Sequence, residues 1–105
     1  MRIKNITSAH GNKIANQFII EDGNKIYFQS YNSMIACIDY STKTITLGRD
    51  YNYSKTTGKY RNKFFSEMGF DEIATLKAIE NALKNKMLTI GICEIEYTII
   101  YDATL

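Results

Sequence analysis

The sequence predicts an α+β fold, and three observations carry that reading. Up to Gly48, short runs of alternating apolar and polar residues are joined by short turns. After Tyr53 the apolar spacing changes from two residues to about 3.6. Beyond Lys86 the chain returns to β-branched and aromatic residues. The expected architecture is an antiparallel β-meander of about four strands, two consecutive helices at about 57–68 and 71–85, and a long C-terminal strand or hairpin returning to the sheet. The 105 residues form a single domain spanning 1–105, long enough to bury roughly two-thirds of the surface its unfolded chain exposes.

Residues 1–12 give no clear pattern, with Ile3 and Ile6 as the only aliphatic anchors and Ser8 to Gly11 reading as a loop. Ile14 to Glu21 reads as the first strand, with Phe18 and Ile20 on one face. Asp22-Gly23 is a hairpin signal, because a tight turn needs residues that tolerate positive φ. Lys25 to Tyr31 returns, with Ile26 and Phe28 on one side and Tyr27, Gln29 and Tyr31 on the other. Asn32-Ser33 makes a corner, and the run from Met34 to Tyr40 is apolar enough to be covered on both faces. Thr44 to Leu47 is the fourth strand, ended by Gly48. Connections this short argue for antiparallel neighbours.

Ser54, Thr56 and Thr57 each suit a helix N-cap, since a hydroxyl there can accept a bond from an amide the helix leaves unpaired. Tyr60, Phe64 and Met68 then fall on one helical stripe with Phe65 beside it, and Gly69 suits the left-handed stop. Asp71 to Asn85 has a second apolar face in Ile73, Leu76, Ile79 and Leu83. Acidic residues stand at its start and lysines at its end, as the helix dipole prefers. In Met87 to Tyr101 the apolar positions slip from even to odd numbers, which a bulge or turn near Gly91 to Glu94 would repair.

Composition excludes several function classes. The net charge of +2 is too small to imply a polyanion partner by itself. Between Arg49 and Lys63, however, five cations stand against Asp50 alone, a local +4, so the rest of the chain sums to −2. Cys37 and Cys93 sit in apolar runs far apart and are expected to be reduced core thiols. The single histidine, His10, has no acid nearby to orient it, and no Cys/His spacing resembles a zinc site. Glu94 and Glu96 read as solvent-facing positions on a half-exposed strand. Thr57-Gly58-Lys59 lacks the flanking glycine and Ser/Thr of a phosphate loop. The expectation is a protein that is not an enzyme and holds no cofactor or metal. The first residues have no apolar leader and no run is long enough to span a membrane, so a cytoplasmic location is expected.

The candidate contact surface is Arg49, Tyr51, Tyr53, Lys55, Lys59, Arg61 and Lys63. Cations interleaved with tyrosines can follow phosphates while aromatic rings stack on bases. The same residue types anchor protein interfaces, because Tyr and Arg bury large areas and still offer hydrogen bonds.

Three runs, NQFII (16–20), YFQSYNSMIACID (27–39) and DYNYSKTTGKYRN (50–62), resemble a family of short uncharacterised proteins encoded by phages and other mobile elements. The resemblance covers Ile14 to Asn85, and YNS with YSKTTGKYRN is its most specific part. It implies no catalytic residue. It does imply a small accessory protein that binds nucleic acid, regulates, or blocks a host defence such as CRISPR. The first expectation is therefore a non-enzymatic inhibitor that occupies a host protein or nucleoprotein complex built for nucleic acid. The alternative is a nucleic-acid-binding accessory protein using 49–63. A third is a structural protein that self-associates as a homodimer through an unpaired strand edge.

Overall fold

The computed structural model describes residues 1–105. The chain runs β1 (Arg2–Thr7), β2 (Lys13–Asp22), β3 (Lys25–Ser30), β4 (Ser33–Asp39), β5 (Thr44–Leu47), α1 (Lys55–Glu67), a 3-10 turn (Asp71–Ile73), α2 (Leu76–Asn85), β6 (Met87–Ile90) and β7 (Ile95–Tyr101). One seven-stranded sheet holds all the strands in the order β1-β2-β3-β4-β5-β7-β6. Every pairing is antiparallel except β5 with β7, which the two helices separate in sequence. The fold is α+β, as expected.

The meander has five strands rather than four. The extra one is Arg2–Thr7, which pairs along β2 with Ile3 opposite Ile20 and Asn5 opposite Phe18. Its period-two pattern is hidden because Arg2 and Lys4 lie on the same face as buried Ile6, where both reach Glu21. The Met87–Tyr101 run is a hairpin, and Gly91 to Glu94 is its turn, which resolves the phase slip.

The expected helix over 71–85 is two elements. Asp71–Ile73 is a 3-10 turn, and α2 starts only after Thr75, whose backbone is extended and whose hydroxyl accepts from the Ala78 amide. The Asp71 carboxylate accepts from the Ser66 hydroxyl at 2.6 Å, so it ties the turn back to α1. α1 begins earlier than expected, at Lys55, because Ser54 is the cap that accepts from the Thr57 amide.

Both helices cover one face of the sheet. Phe28 stacks on Phe64 with ring centroids 5.7 Å apart, and Phe70 meets Tyr97 edge-on at 5.1 Å. The core behind them joins Ile6, Ile19, Phe28, Ile38, Ile45, Leu47 and Ile99 to Phe64, Phe65, Ile73 and Ile79. The buried stripe of α1 is turned by about one residue from the expected one. Thr57, Arg61, Phe64 and Phe65 are buried, while Tyr60 and Met68 pack half-buried at its rim.

Candidate functional site

The β3–β4 turn and the β5–α1 loop meet at one end of the covered face. A register shift in β4 lets this happen. Phe28 pairs with Ala36 but Gln29 pairs with Met34, so Ile35 is an extra residue that turns into the core. Gly48 then crosses close to β4, donating its amide to the Ile35 carbonyl at 2.8 Å. A Cβ at Gly48 would collide with the Met34 carbonyl, so only glycine allows that approach. Ser33 donates its hydroxyl to the Asp50 carboxylate at 2.9 Å and latches the two loops together.

The result is a cleft of about 300 Å³ lined by Ser30, Asn32, Ser33, Asp50 and Thr57, with Tyr31 and Tyr53 at its walls. Tyr31 is 60% exposed and Tyr53 is 78% exposed. Tyr31 has φ 54, the left-handed region that costs a bulky L-residue roughly 1–2 kcal/mol. Its amide is held by the Asn16 carbonyl at 2.7 Å. Asn or Gly would adopt that backbone more cheaply. The α1 N-terminus opens beside the cleft with no acidic residue in its first turn.

The structure divides the seven expected contact residues. Arg49, Tyr53, Lys55 and Lys59 are exposed. Lys59 lies 5.3 Å over the ring of its neighbour Tyr60. Lys63 is half-buried and ion-paired with Glu67 at 3.4 Å. Tyr51 packs inward, edge-on to Tyr101 with centroids 6.1 Å apart.

Arg61 is not on the surface. At 1% exposure it is the largest fully buried side chain. It donates to the Tyr51 carbonyl at 2.7 Å and to the Asn62 side-chain oxygen at 2.8 Å. Gly58, one turn earlier, lies beside the guanidinium, at a distance where a Cβ would make ordinary van der Waals contact. Burial draws its pKa below the ordinary arginine value, with the Tyr51 hydroxyl and Glu80 opposing that shift. Arg61 thus fixes the loop that carries Tyr53.

Sequence spacing missed Tyr31, Asn32 and Asp50 as cleft residues, since a corner and a lone acid carry no periodic signal. The signal that could have found them is the resemblance itself. Its two most specific stretches both reach one cleft, the first through Tyr31, Asn32 and Ser33 and the second through Tyr53 and Thr57. No three of the His, Cys, Asp and Glu side chains gather as a metal site requires. No helix is long and apolar enough to cross a membrane.

No curated protein and no solved structure matches the chain. Residues 1–81 match a family of unknown function, DUF8033. That match takes in β1, ahead of the resemblance read at Ile14, and stops within α2 short of the C-terminal hairpin. With most of its length matched, the chain belongs to the DUF8033 family.

Proposed function

We propose that the protein is a non-enzymatic binding module that grips an acidic surface of another protein. Tyr31 and Tyr53 act as anchors, and Arg49, Lys55 and Lys59 orient the partner. The observation that carries this reading is the pair of exposed tyrosines walling one cleft, one of them at a positive-φ position of the β3–β4 turn where asparagine or glycine would fit more cheaply. Tyrosine is among the residue types enriched at interface hot spots. The positive end of α1, with Lys55 at its start and no acid in its first turn, favours an acidic partner. Within this reading the partner is a host defence protein that handles nucleic acid, such as a CRISPR nuclease complex. The setting is the phage or mobile element that the resemblance implies.

Direct nucleic-acid binding is the second reading, favoured by the lysines at positions 55, 59 and 63 along one side of α1. Its weakness is the number of free charges. With Arg61 buried and Lys63 paired to Glu67, three exposed cations remain on this surface. Three phosphate contacts give a salt slope of only about −2 on a single strand.

Tyr31→Asn separates binding from folding. Asparagine tolerates positive φ, so the variant should be equally stable or more stable by up to ~1 kcal/mol. It should nonetheless lose the protein that the wild-type chain captures from host lysate, as should Lys55→Glu with Lys59→Glu. Equal capture by all three chains would overturn the assignment of this surface. Labelled single- and double-stranded oligonucleotides decide the second reading. Tight binding at low salt that collapses as salt rises would replace the protein partner with nucleic acid.

A further inference from the structure

The face of the sheet turned away from the helices carries one unbroken cross-strand row. Ile3 pairs with Ile20, Ile20 with Tyr27, Tyr27 with Cys37, Cys37 with Thr46, and Thr46 with Ile100. No helix or loop covers it, since the helices pack on the opposite side against the row Ile19, Phe28, Ala36 and Leu47. A solvated sheet face ordinarily shows polar residues at alternate positions. Here one position of the six, Thr46, is polar. In the neighbouring row Phe18 and Met34 add apolar surface, alternating with polar Asn5 and Gln29. At the ends of the row, Ile3 is 60% exposed and Ile100 38% exposed.

The geometry points to a second copy of this chain as the occupant, packed sheet against sheet about a two-fold axis. The axis runs along the strands between β3 and β4. It sets Ile3 opposite Ile100 of the second copy, Ile20 opposite Thr46, and Tyr27 opposite Cys37. Two observations favour that occupant over an unrelated protein.

The first is charge. Lys25 and Asp39 occupy the next row on the same face, on β3 and β4, and pair with each other in register. A two-fold between those strands brings Lys25 of each copy over Asp39 of the other, so one lysine and one aspartate make two opposed contacts. Self-complementarity of this kind is what an isologous interface demands. An axis displaced by half a strand, onto β4, would instead set Asp39 over Asp39.

The second is area. A row across six strands spans about 24 Å at a strand spacing of about 4.8 Å, and strands of six or seven residues run about 20 Å. That footprint of roughly 500 Å² per copy reaches the ~1,000 Å² total that a specific pair needs. Aligned sheets pack about 10 Å apart, the distance that interdigitating Ile and Tyr side chains fill.

The experiment is the oligomeric state of the full chain by light scattering and sedimentation across micromolar concentrations. Wild type should be a dimer in exchange with monomer. Ile3→Glu with Ile100→Glu, both at exposed positions, should weaken the dimer at least tenfold, and Lys25→Glu should do the same by setting Glu over Asp39. Ile92→Glu, at the fully exposed hairpin tip off the row, should leave it unchanged. Far-UV circular dichroism confirms that each variant is folded. A wild-type chain that stays monomeric overturns the proposal. So does a dimer that survives the paired isoleucine substitutions, since it must then form elsewhere, as edge pairing through β6 would.

Discussion

One residue apart along every strand, the sheet presents two apolar rows with different surroundings. Ile19, Phe28, Ala36 and Leu47 lie under α1 and α2 and are at most 2% exposed. Ile20, Tyr27, Cys37 and Thr46 lie on the open face, mostly half-buried, with Ile3 and Ile100 protruding at the ends. In a typical two-layer fold the second row would be polar. The difference teaches that alternation identifies a strand without saying which face is covered, when both faces are apolar. Burial on the first face is intramolecular and is fixed by rings from α1. On the second it comes only from neighbouring side chains within the sheet.

Paired truncations on the two faces should show the largest contrast. Phe28→Ala removes a ring stacked on Phe64 at the centre of the covered row and should cost ~3–5 kcal/mol in urea unfolding. Ile3→Ala, on the open face, should cost less than about 1 kcal/mol in a monomeric reference such as the Lys25→Glu chain. Comparable losses at the two positions would mean that the open row is as closely packed as the covered one.

Arg61 comes next, because it is a cation placed on the covered side. It has no carboxylate in contact, and its bonds go to a carbonyl and an amide oxygen. Arg61→Ala leaves the Tyr51 carbonyl without its donor and opens a cavity between loop and helix. A loss of ~3 kcal/mol is expected. Arg61→Lys should recover only part of it, since an ammonium cannot fork to both acceptors. Partner capture should fall with either change, because the loop carrying Tyr53 is released. An Arg61→Ala chain with unchanged stability would return this residue to the surface.

How much of this was legible in the sequence depended on how local the cause was. The β2–β3 hairpin, the α1 cap and the irregularity at Gly91 to Glu94 are set by neighbours in the chain, so each was legible locally. The hairpin reads one residue early, since Gly23-Asn24 is the turn, the cap reads as a choice among Ser54, Thr56 and Thr57, and the last reads as a bulge or a turn. The fate of Arg61 is less local. Its spacing from Thr57 and Phe64 puts it on the inner stripe, but charge alone suggests the outer one, and the carbonyl of Tyr51 decides. β1 was illegible because Arg2 and Lys4 share the face of Ile6 and pair with Glu21 at the sheet edge. The cleft lay furthest from local pattern. It needs the extra residue at Ile35 and the close pass of Gly48, and both follow from how β3, β4 and β5 are registered rather than from any single stretch. Four of the seven expected contact residues survived as exposed surface for the same reason: Lys55 and Lys59 are placed by helix spacing, whereas Tyr51 turns inward to Tyr101, a residue fifty positions away.

The smallest effect tests the open face without changing its packing. Cys37 lies in the middle of the open row, 6% exposed beneath its neighbours, whereas Cys93, expected in the core, sits exposed because Gly91 to Glu94 form the β6–β7 turn. Burial pushes the Cys37 thiol up from its ordinary value, while Lys25 and the Tyr27 hydroxyl oppose that shift and Asp39 adds to it. A raised folded pKa means that the neutral thiol is favoured in the native state. The corresponding stability is fully present below the unfolded value of about 8.5 and is lost as pH rises through the folded value. At mildly alkaline pH a thiol reagent should therefore label Cys93 at once and Cys37 slowly, and Cys93→Ser should leave only the slow phase. If two sheets pack face to face, the slow phase should lengthen further as protein concentration rises, because Tyr27 of the second copy then closes over the thiol. With Ile3→Glu and Ile100→Glu that concentration dependence should vanish while the slow phase itself persists. Equal labelling of both cysteines would mean that the row is open to reagent, and the contrast between the two faces would then rest on residue type alone.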